Sequence, residues 1–375
     1  MLTRSNLADA KRIVVKVGTS TLTYGTGKLN LDQIEKLVRE LSDLANQDKE
    51  IILVSSGAVG AGMARLGLKE KPKTMPEIQA AAAVGQGILM HTYEKLFGEY
   101  GQIVAQVLLT REDSVNRKRY VNSRNTLMSL LAMRVIPVIN ENDAVAVDEL
   151  KIGDNDTLSA MVASIVDADL LIILSDVDGL YTANPQKSAD AHLVEEVTDI
   201  TAEIEDLAGG PGTPTGTGGM YTKIQAAKIA VNSGVVMVIA SGGRHGVIRE
   251  IVSGAKLGTL FLPKENRLHI RKRWLAFGAR IHGSVTVDKG CERAILKGGS
   301  SLLAAGIKAV EGKFEHGNTI RILTAEGREI ARGIANYNAD EARRIMGAHT
   351  NEIAAILGGK PYDEVIHRDN LVLLV

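Results

Sequence analysis

Residues 216 to 223 read GTGGMYTK: three glycines and a closing lysine, with Gly212 just upstream. Glycine lets backbone N–H groups come close to a ligand, and lysine offers a compact cation suited to a phosphate. The loop is not GxxxxGK[ST], because the chain's Gly-Lys pairs begin at Gly27, Gly312 and Gly359 and are followed by Leu, Phe and Pro. Similar material follows other apolar runs. VKVGTSTLT brings Lys16 and Gly18, and VSSGAVGAG brings Ser55, Ser56, Gly57 and Gly60. INENDAV supplies Asn140, Glu141, Asn142 and Asp143, GDNDTLSA supplies Asp154, Asn155 and Asp156, and SDVDGLYTANP supplies Ser175, Asp176 and Asp178. Taken singly, each has a plain structural reading. NEND and GDND are good turn and N-cap sequences, SSGAVGAG reads as a turn, VDGLYTANP as a hairpin, and Lys16 as an edge-strand lysine. Taken together, two glycine-rich turns, two lysines and several carboxylates suit a phosphate-bearing ligand with a metal ion. The histidines have no HExxH spacing, which points to core or surface roles. Arg117, Lys118 and Arg119 read as a solvated charge run.

These groups need a frame that brings them to one place. Short continuous apolar runs begin at Ile13, Ile51, Ile103, Val135, Leu170 and Val235, the pattern of strands buried on both faces. Helical periods lie between most of them. Leu31, Ile34, Leu37, Val38 and Leu41 recur at helix spacing behind Asn30 as N-cap. EIQAAAAVGQGILMHTYEKLF is Ala-rich, with Gly85 and Gly87 placed for close packing, and KIQAAKIAVNSG ends on Gly234 as a C′ glycine. Strand–helix alternation predicts an α/β fold with an open, mostly parallel sheet flanked by helices. Such sheets bind ligands outside the carboxyl ends of their strands, where every one of these polar turns falls. Beyond Leu262 the pattern changes. A cationic stretch with the sole Trp274 reads as a linker over 263–279, and alternating runs over 280–368 predict a small β-rich domain of antiparallel strands with a TAEGRE hairpin. The α/β unit is placed at 1–262.

Composition narrows the class. The 375 residues carry 44 Lys+Arg and 44 Asp+Glu, and aromatics make up 3%. Zero net charge and few stacking rings argue against a dedicated nucleic-acid binder. The single Cys291 allows no internal disulfide and no cysteine metal cluster. The polar start lacks a signal-peptide core, and no run of about 18 apolar residues is present to span a bilayer, so a cytoplasmic protein is expected.

VVKVGTS, VSSGAVGAG, PVINENDAV, GDNDTLSA, SDVDGLYTANP and GTGGMYTK, in this order, resemble the amino-acid kinase family, in its branch acting on glutamate for proline biosynthesis. The segment from GSVTVDKGCERAILKGGSSLL onward resembles a PUA domain. The resemblance covers nearly the whole chain. It implies ATP-dependent phosphorylation of the L-glutamate γ-carboxylate to L-glutamyl 5-phosphate, with Mg²⁺ arriving on ATP and no structural metal. It implies Lys16, Lys223 and Asp156 as catalytic, the lysines neutralising charge from opposite ends of the crevice and Asp156 holding both. It further implies Ser56, Gly57, Asp143 and Asn155 at the substrate, the Asp for the α-ammonium, and Ser and Asn with backbone donors for the carboxylates. Lys16, Ser175, Asp176 and the loop Thr217, Gly218, Gly219, Met220, Tyr221, Thr222 and Lys223 would hold ATP. L-proline as feedback inhibitor and a homo-oligomer, dimer or tetramer, complete the expectation. The alternatives are a family member with another acceptor, or an RNA-binding protein acting through the tail.

Overall fold

The computed structural model describes residues 2–70, 72–110, 113, 117–145, 155–183, 188, 190–208, 219–263, 280–359 and 362–374. They fall into two compact units, one comprising residues 1–113 and 118–267, the other built on 268–375. The linker expected at 263–279, with Trp274, lies outside the described residues from 264 on.

All six apolar runs are strands of one sheet: β1 (Arg12–Val17), β2 (Glu50–Ser55), β3 (Ile103–Leu109), β4 (Val135–Glu141), β5 (Leu170–Ser175) and, after the two-residue β6 (Glu196–Val197), β7 (Val236–Ser241). With β8 (Thr259–Phe261) the order is β3-β4-β2-β1-β5-β7-β8-β6. Neighbours from β3 across to β7 run parallel, β8 is antiparallel to β7, and β6 is parallel to β8. β5 is buried along its whole length, and β1 and β2 are buried after their first residue. Helices on both faces leave a central strand no wet side. β3 departs from its apolar sequence: it is the sheet's edge, and Ile103 is 65% exposed.

The flanking helices are α1 (Thr19–Leu22), α2 (Leu31–Asn46), α3 (Ala58–Leu66), α4 (Met75–Glu99), α5 (Arg117–Ala132), α6 (Asn155–Ile165), α7 (Ala202–Leu207), α8 (Met220–Asn232) and α9 (Val247–Val252). In α2, Asn30 accepts from the Gln33 backbone N–H at 3.2 Å, and Ile34, Leu37, Val38 and Leu41 are buried. Gly234 takes φ +77° after α8, the C′ conformation its position predicted. α3 and α4 touch backbone to backbone. A Cβ on Gly62 would stand 1.8 Å from the Ala81 carbonyl oxygen, and one on Gly85 1.7 Å from that of Ala58. Gly87, read with Gly85 as a packing glycine, meets nothing within 4 Å. No helix among the described residues is long and apolar enough to cross a membrane.

The second unit has its own core, including Val285, Ile295, Ile320, Ile330 and Tyr337. Its strands are β9 (Ile281–Val287), β10 (Ile307–Gly312), β11 (Thr319–Leu323), β12 (Glu329–Ile334) and β13 (Leu371–Leu373), in the order β10-β9-β11-β12-β13. The helices are α10 (Lys289–Gly298), α11 (Ala339–Ile345) and α12 (Ile353–Leu357). The TAEGRE turn is a hairpin, with Gly327 at φ +82° and Thr324 N–H donating to the Arg328 carbonyl at 2.9 Å. One pairing differs from the antiparallel expectation: β9 and β11 run parallel. β10 folds back antiparallel on one edge of β9, and β11, reversing again, must join the other edge in the direction of β9. The sheet continues to β13, past the expected end at 368.

Candidate active site

β1 is the strand at which the chain's path divides: β2 and β4 follow on one side, β5 and β7 on the other. Flanking loops separate at such a point and leave a crevice beyond the strand ends. A cavity of about 570 Å³ lies there, walled by residues at the exits of β1, β2, β4 and β5 and at the starts of α3 and α6.

Lys16, one residue before the end of β1, is 7% exposed; Lys223, in the first turn of α8, is 3% exposed. Ammonium groups so far from water need an anion. Asp156, in the first turn of α6 and 1% exposed, supplies it. Lys16 Nζ lies 2.6 Å from Asp156 Oδ1 and Lys223 Nζ 3.1 Å from Oδ2, and the Thr222 hydroxyl donates to Oδ2 at 2.9 Å. Burial pushes the Asp156 carboxyl up, but Lys16, Lys223 and the Thr222 hydrogen bond outweigh it and hold the group below its ordinary value. The lysines therefore do not stand at opposite ends of the crevice. One carboxylate gathers both, and the triad keeps one net positive charge at the cavity wall.

On the β2 side, Gly57 takes φ +100° between Ser56 and the first turn of α3, a conformation that a side chain would strain. Asn155, ahead of Asp156 in α6, donates from Nδ2 to Ser56 Oγ at 2.7 Å and to Asn140 Oδ1 at 3.0 Å. Asp143 and Glu141 line the cavity beyond β4. On the β5 side, the Ser175 hydroxyl donates to Asp176 Oδ1 at 2.9 Å, and both residues line the wall. Among the described residues no cluster of three metal-ligating side chains is present. Glu141, Asp143 and Asp176 are carboxylates able to meet a cation carried in by a phosphate ligand.

The cavity thus brings together Lys16, Ser56, Gly57, Asp143, Asn155, Asp156, Ser175, Asp176 and Lys223. Gly219, Met220, Tyr221 and Thr222 form the start of α8 and do not line it; the Thr222 hydroxyl faces Asp156 instead. Asp178 sits apart, accepting from the Tyr181 hydroxyl at 2.9 Å. Thr217, Gly218, Gly212, Gly216 and Asp154 lie outside the described residues. Sequence reasoning missed Gln86, which accepts from Asn140 Nδ2 at 2.9 Å, and Tyr93, whose hydroxyl is 2.9 Å from Ser55 Oγ. The available signal was a glutamine and a tyrosine seven residues apart on the buried face of α4.

Comparison with known proteins agrees with this architecture. Residues 11–241 match the model of the amino acid kinase family, and residues 283–357 match that of the PUA domain. The chain is 58% identical over 371 residues to the glutamate 5-kinase of Moorella thermoacetica, covering 99% of this chain and 98% of that one. It is 57% identical over 363 residues to the glutamate 5-kinase of Caldanaerobacter subterraneus subsp. tengcongensis, covering 97% and 98%. Among solved structures, carbamate kinase from Giardia lamblia bound to AMP-PNP superposes with a TM-score of 0.50 at 18% identity, over 68% of this chain and all of that one, a likeness of fold.

Proposed function

The chain belongs to the amino acid kinase family and carries a PUA domain, and we propose that it transfers the γ-phosphoryl group of MgATP to the γ-carboxylate of L-glutamate, forming L-glutamyl 5-phosphate for proline synthesis. The observation that carries this reading is the buried Lys16–Asp156–Lys223 triad on a cavity able to hold two anionic reactants, in a chain 58% identical to a glutamate 5-kinase.

The chemistry follows from charge. A carboxylate oxygen forms a bond to the γ-phosphorus as the bond to the β-phosphate oxygen breaks, and ADP leaves with the electron pair. The acceptor is already ionised at neutral pH, so no general base is required. The obstacle is repulsion between two anions and the charge spread over the transferring group, which preorganised cations relieve. Lys16 and Lys223 have that role, and Asp156 keeps both ammonium groups aimed from a water-poor wall. Ser56, Gly57, Asp143 and Asn155 receive glutamate; Lys16, Ser175, Asp176 and residues 217–223, which lead into the first turn of α8, receive ATP. L-proline competes for the glutamate pocket, with Asp143 taking its ammonium. Catalysis resides in residues 1–262, the tail from residue 280 through β13 folds separately after the 263–279 connection, and the protein works as a homo-oligomer in the cytoplasm without binding nucleic acid.

The test is ADP release with L-glutamate against L-aspartate, N-acetyl-L-glutamate, carbamate and UMP. Turnover with L-glutamate is expected to exceed the others by orders of magnitude. Turnover with another acceptor in its place overturns the assignment.

A further inference from the structure

Helix α4 buries Ala81, Ala82, Gly85, Gln86, Leu89, Tyr93 and Phe97. Two of these side chains carry polar groups, and both end on strands that form the site: Tyr93 on Ser55 of β2, Gln86 on Asn140 of β4. Beside Gln86, Gly85 lets α4 close on α3, since any side chain there would run into the Ala58 carbonyl at the start of α3. Gln86 is 9% exposed and Asn140 3%.

The hydrogen bonds of this group have a direction. Asn155 Nδ2 lies 3.4 Å from the Ser55 carbonyl oxygen, and a carbonyl only accepts, so the NH₂ end of Asn155 belongs there. The same NH₂ donates to Ser56 Oγ and to Asn140, which must therefore present Oδ1. Asn140 is left to donate from its own NH₂, and the Gln86 oxygen receives that bond. Three amides thus read one way from the cavity into α4. With its NH₂ engaged, Asn155 has one polar side-chain atom left, Oδ1, an acceptor on a residue that lines the cavity.

We propose that Gln86 is a positioning residue of the acceptor pocket. Through Asn140 it reinforces the direction that the Ser55 carbonyl gives the Asn155 amide, so that an oxygen, not an NH₂, is offered to the substrate. That suits an α-ammonium group and repels a carboxylate, the reverse of the carboxylate role that the resemblance implied for Asn155. The proposal rests on the pocket being the amino-acid site described above. Without the Gln86 oxygen, the buried Asn140 NH₂ has no acceptor and the amide can reverse, and the orientation of Asn155 then rests on its long 3.4 Å approach to the Ser55 carbonyl.

Gln86→Leu removes the acceptor at similar volume, and Gln86→Glu keeps an oxygen in its place. For Gln86→Leu the glutamate KM is expected to rise about tenfold, with kcat and the ATP KM changing less than about threefold. The ratio of the glutarate inhibition constant to the glutamate KM should fall by a similar factor, because glutarate lacks the ammonium that Asn155 selects. Gln86→Glu should return KM and ratio most of the way. Should Gln86→Leu fail to fold by thermal melting, Gln86→Met takes its place. A folded variant with wild-type glutamate KM and glutarate ratio overturns the proposal, as does a loss in kcat and both KM values that Gln86→Glu does not rescue. A wild-type enzyme inert on L-glutamate but active on another amine-bearing acceptor overturns the functional assignment instead, and the relay is then judged by the same KM split on that acceptor.

Discussion

Asp156 serves two ammonium groups with two oxygens, so the three residues of the triad have different expected losses. Lys223→Ala removes one preorganised donor and should lower kcat by about 10²–10³, with a much smaller change in glutamate KM; steady-state kinetics check this. Asp156→Asn leaves two buried ammonium groups facing a neutral amide, and urea unfolding should show a loss of about 3–5 kcal/mol. The pH dependence has a definite sign. Burial raises the Asp156 carboxyl, the two lysines and Thr222 lower it further than that, and the native group ends below its unfolded value. Its contribution to stability is complete above the unfolded carboxylate value of about 4 and is lost as pH falls through the lower native value. Unfolding midpoints followed from about pH 6 to 3 should fall more steeply for the wild type than for Asp156→Asn. In the acceptor pocket, Asp143→Ala and Asn155→Ala should raise the glutamate KM by about 1–3 kcal/mol and leave the ATP KM nearly unchanged. Movement of the ATP KM alone would place those residues at the other substrate.

Among the elements, α3 and α4 are coupled most tightly, because two glycines replace side chains at their crossing. Gly62→Ala and Gly85→Ala each put a methyl group within 2 Å of a carbonyl oxygen of the facing helix. The backbones must part, at an expected cost of about 1–3 kcal/mol or more. Because α3 begins just after Gly57 and α4 carries Gln86, the displacement should also weaken glutamate binding. Gly87→Ala is the internal control. It lies two residues on in the same helix, exposed and with open space around it. There alanine should stabilise by up to about 1 kcal/mol, through helix propensity alone. Thermal melts of the three variants separate packing from propensity: Gly87→Ala should melt above wild type and the other two below it.

At the scale of the molecule, the two units own separate cores, and every residue placed in the site belongs to the first. A chain ending at 263 should therefore keep glutamate kinase activity. L-proline should still inhibit it, since its expected contact, Asp143, remains, and should inhibit Asp143→Asn less. Purified full-length, shortened and Asp143→Asn proteins at matched glutamate saturation provide the measurement. A folded but inactive shortened chain would give the tail a part in catalysis, and inhibition lost with activity intact would place the proline response there.

The elements and the kind of chemistry were legible in the amino-acid letters alone. Burial imposes a period within each element, so the runs at Ile13, Ile51 and Leu170 could be read as strands, and Asn30 and Gly234 as the ends of helices. The glycine-rich turns and lysines named a phosphate ligand without any coordinates. Which of these groups touch was settled by how the elements pack. That Lys16 and Lys223 meet on one carboxylate depends on β1 lying beside β5 and on α6 and α8 reaching the same strand ends, and no local pattern contains strand order. The parallel pairing of β9 with β11 and the exposure of β3 have the same origin, since an edge strand and a central one can carry the same apolar letters. Gln86 was the least legible. In an Ala-rich helix it looks like any solvated polar residue, and it becomes part of the site because it is buried and receives the Asn140 NH₂.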